Sequence, residues 1–302
     1  MLRREAVRGE SNLRHLLLIS LMILAVTAMA CGGDQPERQV DIEPSLALPE
    51  STPVGQPLEL VYHWTPGPEF NPPSDDYHVF VHLIDPEGTI LMQDDHFPPL
   101  PTSQWVPGEE VSYSRWVYPP ADMRSDYVDF YVGLYDDDGR VAVKSGGEWN
   151  GRPNVHRIYV RADDVAGLPV TFEGWFDEEL VESTGDRWSW MGTRAVAAFG
   201  NPRGPAILHL RAHSPVVEIG GPQIVRLSIG DVEIASIEVT EQTAFEERIE
   251  IPAAVLGDGD WVEVAIEVDK GFIPAELDPV STDTRELGLQ VFGLYLAPAT
   301  SG

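Results

Sequence analysis

The chain has 302 residues and a formal net charge of −29, with 49 Asp and Glu against 20 Lys and Arg. A surface of that sign repels a phosphate backbone and excludes nucleic acid as a partner, and it argues against direct electrostatic adhesion to anionic lipid headgroups. The single Cys excludes an intramolecular disulfide, so the folded part stands on its apolar cores alone.

The first 30 residues fall into zones. Arg3, Arg4, Arg8 and Arg14 outweigh Glu5 and Glu10, and residues 16–30 (LLLISLMILAVTAMA) then form an apolar run interrupted only by Ser20 and Thr27. A bilayer-spanning helix takes about 20 apolar residues, so this shorter run reads as the core of a signal peptide over residues 1–30. It closes on Ala28, Met29 and Ala30, followed by Cys31-Gly32-Gly33. Ala-x-Ala suits an ordinary signal peptidase, which would leave a secreted protein beginning at Cys31. A small residue directly before Cys, with glycines and a polar stretch after it, resembles instead the lipobox of bacterial lipoproteins, which implies a lipid on Cys31 and a membrane anchor. The only Cys stands at this junction, where chance would place it about once in 300, and that favours the lipid. Residues 31–39 are the expected lipid-anchor tether. Taking away the four arginines and two glutamates of the leader leaves 16 basic and 47 acidic side chains, a balance suited to solubility outside the cell.

From residue 40 on, apolar residues alternate in short runs bounded by Pro, Gly, Asp and Asn, and no long run holds a 3.6-residue period. The alternation predicts strands at 40–46, 58–64, 77–84, 89–94, 111–117, 127–135, 140–143 and 155–160. Asp85-Pro86-Glu87-Gly88 and Asp136-Asp137-Asp138-Gly139 read as tight hairpin turns. Strands this short and this many suit an immunoglobulin-like β-sandwich over residues 40–162. Residues 161–169 (RADDVAGLP) break the pattern as a domain boundary. Further strands are expected at 170–176, 195–199, 206–212, 223–229, 232–237, 245–251, 261–268 and 287–296, a jelly-roll-like sandwich over 170–298. The chain is all-β on this reading.

Two stretches carry a family resemblance. In the first, Val81-His82-Leu83 with Asp85 and Gly88, then Asp95, Pro101-Thr102 with Trp105, Pro107-Gly108-Glu109 and Gly133-Leu134-Tyr135-Asp136 resemble a sandwich module of bacterial cell-envelope proteins and membrane glycosyltransferases. In the second, Gly174-Trp175, Arg187-Trp188, Phe272 with Pro274, Asp283, Arg285 and Leu287-Gly288 resemble jelly-roll modules appended to envelope and glycan-related enzymes. The resemblance implies His82, Trp188, Asp283 and Arg285 as structural motif residues, with Asp283 and Arg285 fixing the closing strand against Arg187-Trp188. It implies glycan chemistry nearby.

No Gly-x-Ser-x-Gly elbow, His-Glu-x-x-His, phosphate loop or Gly-x-Gly-x-x-Gly occurs. No cofactor is expected. His78 and His82 share a strand face but stand about 13 Å apart, too far for one zinc ion. Asp136 and Asp138 are weak candidates for Ca²⁺, in a loop that lacks the EF-hand glutamate and that a solvated turn already explains. Of eight tryptophans, Trp64, Trp116 and Trp261 fall in strand patterns and are expected in cores. Trp105, Trp149, Trp175 and Trp190 lie near turns, where an indole can stack on a sugar or anchor a protein. The expectation is a lipid-anchored, extracytoplasmic, non-catalytic binding or accessory protein with a carbohydrate-related role at the cell envelope. A protein-interaction scaffold in an envelope complex is the rival, and a secreted hydrolase stands third. On charge alone, the second domain should favour neutral or cationic saccharides over polyanions.

Overall fold

The alternation expected from the sequence is written into the first strand, where Ile42, Pro44 and Leu46 are buried and the residues between them exposed. The computed structural model describes residues 38–145, 148–150, 154–181 and 186–299. The expected signal peptide, Cys31 and the expected tether up to residue 37 lie outside the described residues.

In chain order the first half contains β1 (Ile42–Ala47), β2 (Ser51–Pro53), β3 (Leu58–Pro66), β4 (His78–Ile84), β5 (Ile90–Gln93), β6 (Val111–Val117), β7 (Tyr127–Asp136), β8 (Gly139–Val141), β9 (Val143–Ser145), β10 (Glu148–Asn150) and β11 (Asn154–Arg161). One sheet has the order β1-β3-β6, and a larger one has the order β2-β11-β7-β4-β5, with β8 on β7. The inner faces of both contribute to one apolar core that includes Ile42, Leu60, Tyr62, Trp64, Leu83 and Phe130. β1 pairs antiparallel with β3 while β2 pairs parallel with β11, so the opening segment of the domain ties the two sheets together. Its start is pinned by charge. Lys144 Nζ lies 2.5 Å from the buried carboxylate of Asp41, and Arg38 is bidentate on Asp136 at 2.6 and 2.7 Å.

The second half contains β12 (Val170–Val181), β13 (Asp186–Gly200), β14 (Ala206–His213), β15 (Gln223–Ile229), β16 (Val232–Val239), β17 (Ala244–Ile251), β18 (Trp261–Val268) and β19 (Leu289–Pro298). All belong to one sheet, ordered β16-β15-β18-β13-β19-β14-β17, with β12 on β13. The reason is β13, which is 15 residues long. Its residues 194–200 pair with β18, whereas 189–191 pair with β19. The sheet therefore folds over along this strand, and its two wings pack on a shared core that includes Phe199, Leu208, Leu227, Ile266 and Leu296. The fold is all-β and sandwich-like in both halves. The two sets of sheets share no strand, β11 ending at Arg161 and β12 beginning at Val170.

Sequence periodicity placed only residues 195–199 of β13. Residues 187–190 are all half-buried, so no in–out alternation marks them. β2 and β10 are three residues each, too short to carry a period. Trp261, expected in the core, is 60% exposed at the first position of β18, and Val262 beside it takes the buried side.

The bend is made possible by glycines. Gly174 in β12 has φ of +80°, and a Cβ there would stand 1.9 Å from the Arg194 carbonyl oxygen. A Cβ on Gly288 would stand 2.3 Å from the Gly192 carbonyl oxygen. Backbones of β12, β13 and the residue before β19 thus meet without side chains between them, and β12 shifts register on both sides of Glu173 and again after Trp175.

The halves pack against each other. Trp116 lies between His209, at 5.0 Å between ring centroids, and the Arg248 guanidinium, 4.7 Å from its ring. Tyr118 lies over Gly293, where a Cβ would meet its ring at 2.5 Å. The connecting segment is part of the contact, with Gly167 against the Tyr295 ring and its carbonyl accepting from the Leu296 N–H at 3.0 Å.

Candidate functional site

The same junction opens into a cleft of about 260 Å³. Tyr118 reaches it just past the end of β6, Trp175 from the bulged part of β12, Arg187 and Trp188 from the start of β13, Arg211 from β14 and Phe292 from β19. Trp175 is aimed by the backbone at Gly174 and held by its indole N–H, which donates to the Val196 carbonyl at 2.9 Å. Trp188 donates to Glu179 Oε2 at 3.1 Å and meets Phe292 edge-on at 6.3 Å. Both polar edges being spent inside the protein, the indoles contribute ring surface to the cleft.

The polar groups are less well matched. Arg187 Nη1 donates to Asp122 across the junction at 2.8 Å and lies 3.6 Å from Glu178. The Arg211 guanidinium lies 5.9 Å from the Tyr118 ring centre and 5.6 Å from that of Phe292, with Glu246 at 3.5 Å from its Nε. Tyr118 Oη, Arg187 Nε and Arg211 Nε are all buried and make no hydrogen bond within the protein. Burial pushes the Tyr118 hydroxyl up, so it keeps its proton and remains a donor. With ring faces beside the two arginines, the cleft suits a ligand that is apolar on one face and rich in acceptors at its edge.

Of the motif residues, Trp188 lines the cleft, and Asp283 and Arg285 are tied to it through Glu179. Arg285 holds Asp283 through Nε and Nη2 and also donates from Nη2 to Glu179 Oε1 at 3.0 Å, while its guanidinium lies 5.2 Å from the Phe176 ring centre. The hydrogen bond from Arg285 keeps the Asp283 carboxyl below its usual range. Glu179 thus bridges Arg285 and Trp188. Sequence reasoning missed Glu179, because nothing in an exposed-looking EEL stretch marks one glutamate out.

His82 lies 3.5 Å from Asp95 and beside Phe80, at 5.4 Å between rings. Burial pushes Asp95 up, but hydrogen bonds from His82, the Val81 N–H and Tyr135 outweigh it and keep the carboxyl below its usual range. Trp190 is half-buried against Phe272, 6.1 Å between rings, and does not line the cleft. Trp105 corrects the expectation of a ligand-facing indole. It is 1% exposed, packs on Trp64 and donates to the Leu100 carbonyl at 2.9 Å, because the Pro-rich loop around it closes the end of the sandwich. The side chain of Trp149 lies outside the described residues. Asp136 commits its carboxylate to Arg38 and to the Asp138 N–H, and the pairing with Arg38 keeps it below its usual range. Asp138 points to solvent. Among the described residues no group of three or more His, Cys, Asp or Glu is arranged to hold a metal ion.

No protein-family model matches the chain, and no curated protein matches it in sequence. Solved structures with a partial likeness include the secreted serine protease VesC from Vibrio cholerae, at 13% identity and a TM-score of 0.24 over 86% of this chain and 51% of that one. The M60 catalytic domain of Clostridium perfringens ZmpB with its CBM51-1 and CBM51-2 domains aligns at 9% identity and a TM-score of 0.27, over 89% of this chain and 32% of that one. The CBM22-1-CBM22-2 tandem domain of Paenibacillus barcinonensis Xyn10C aligns at 11% identity and a TM-score of 0.26, over 88% of this chain and all of that one. The chain spans about half of the VesC structure and a third of the ZmpB one. Likenesses this distant carry no argument about ligand or activity. The class of protein defined here is a two-core, all-β, sandwich-like protein with an aromatic-lined cleft at the junction of its halves.

Proposed function

We propose that this chain is a non-catalytic binding protein, held at the outer face of a membrane by a lipid on Cys31, that takes a saccharide in the cleft between its halves. The observation that carries the reading is the juxtaposition of Tyr118, Trp175, Trp188 and Phe292 with donors that lack partners inside the protein. Sugar rings present an apolar C–H face to aromatic side chains and hydroxyl oxygens to such donors. The cleft is small, so binding is expected to be weak, roughly tens of micromolar to millimolar. A glycan array followed by NMR titration of the whole mature chain tests this, with shifts expected at Trp175 and Trp188. If no saccharide perturbs the cleft while membrane pull-downs recover one stable protein, the scaffold reading replaces it. That rival has its own observation, the exposed Phe97, Leu100 and Val106 on a Pro-rich loop.

The anchor makes a separate prediction. Cys31→Ala is expected to move the protein from the membrane to the soluble fraction and to remove the mass of a lipid from its N-terminus. A wild-type protein found soluble and unmodified would leave plain secretion.

A further inference from the structure

We infer that the saccharide bound in the cleft is a single sugar unit carrying a carboxylate, which seats on Arg211 and Tyr118. This rests on the proposed saccharide reading and names the chemistry that the cleft selects. Two of its three orphaned buried atoms, Arg187 Nε and Arg211 Nε, can only donate. Each hydroxyl of a neutral sugar brings a donor that needs its own acceptor in the cleft, whereas a carboxylate is acceptor-only and makes charge-assisted hydrogen bonds.

The cleft lining carries both signs, with Glu178 and Asp186 alongside Arg187 and Arg211. Asp122 and Glu178 already hold Arg187, so Arg211 is the seat left for a carboxylate. Arg115 is matched bidentately by Asp94 at 2.8 and 2.9 Å. The acid paired with Arg211 is Glu246, with Arg248 facing Trp116 two residues along the neighbouring strand. Glu246 lies 3.5 Å from Arg211 Nε without a hydrogen bond, and burial pushes its carboxyl up, which weakens it as a counter-charge. The Arg211 side chain is 37% exposed, so its terminal nitrogens remain within reach of a ligand. Size supplies the other limit. At about 260 Å³ the cleft falls below the roughly 300–1,000 Å³ of sites for drug-sized ligands, so it takes a terminal unit. A polyanionic chain would run on across a strongly acidic surface and be repelled within a Debye length of about 8 Å.

The test compares sugars that differ only in the carboxylate: methyl glucuronide with methyl glucoside, and methyl galacturonide with methyl galactoside. Each is titrated by NMR into the whole mature chain carrying Cys31→Ala. At least one uronide is expected to bind about tenfold more tightly than its neutral counterpart, with the preference shrinking as salt is raised. Arg211→Gln is expected to abolish the preference, and Arg211→Lys, which keeps the charge but not the fork, to retain part of it. Equal binding of the acid and neutral sugars, or a preference indifferent to salt and to Arg211→Gln, overturns the inference and leaves the saccharide reading standing. If none of these sugars binds and the glycan array is also blank, both fall together. The salt series on the unsubstituted cleft decides the matter even where an Arg211 variant does not fold.

Discussion

Gly174→Ala is expected to lower stability by about 3–5 kcal/mol, enough to reduce Tm by roughly 10 °C in a chain of this size. Two physical costs combine. The residue's φ of +80° is a conformation that side chains with a Cβ rarely adopt. The added carbon would also lie 1.9 Å from the Arg194 carbonyl oxygen and 2.8 Å from Ala195 Cα, both backbone atoms of the adjacent strand that cannot rotate away. Relief requires β12 to separate from β13, which moves Trp175 and opens the cleft. Gly139→Ala is the matched control, since its φ of +111° is unfavourable but no atom lies within 4 Å of the new Cβ. It should cost only about 1 kcal/mol. Thermal unfolding of the two variants decides the point, and equal losses would mean that conformational strain, not the close backbone approach, governs both sites.

The second large effect is acid lability between pH 6.5 and 4. His209 is 3% exposed, lies beside Trp116 and is paired across the strands with Arg248, so burial first and the Arg248 charge second push its pKa down to about 4. In the unfolded chain an imidazole takes its proton near 6.5. The unfolded state therefore binds more protons throughout this window, and stability falls as pH falls. The penalty is absent above about pH 6.5 and reaches about 3 kcal/mol near pH 4. Burial also depresses His96, His156 and His213, which steepens the loss over the same range. Glu246, pushed up by burial, works in the opposite direction, and the carboxylates held down by pairing, such as Asp41 and Asp136, act only below the usual carboxylate range. Denaturant unfolding at pH 7.5 and 4.5 should show a difference that shrinks by about 2–3 kcal/mol in His209→Gln. A variant with the full wild-type pH dependence would place the lability elsewhere. Because His209 packs at the junction of the halves, low pH is expected to loosen the cleft first.

What the sequence determined by itself was set by short-range physics. The sequence placed 111–117, 223–229 and 261–268 to the residue, because 261–268 keeps a two-residue in–out period along its length, the other two keep it over most of theirs, and turn or loop residues break it at the ends. Acidity and the lone Cys, which set the expectations of no nucleic-acid partner and no intramolecular disulfide, are properties of composition. The tertiary structure alone decided which tryptophans meet. Trp105 and Trp175 both stand near turns, yet one is sealed by a Pro-rich loop and the other is turned into a cleft by the glycine before it. The cleft draws on Tyr118, Arg187, Arg211 and Phe292, which lie up to 174 positions apart in the chain and share no local pattern. His209 was equally invisible, since an alternating strand marks it as a core-facing or polar-facing position with equal ease. Its burial depends on a tryptophan from the other half. Periodicity reports which face of a strand is inward, and only the packing of one sandwich on the other decides what that face touches.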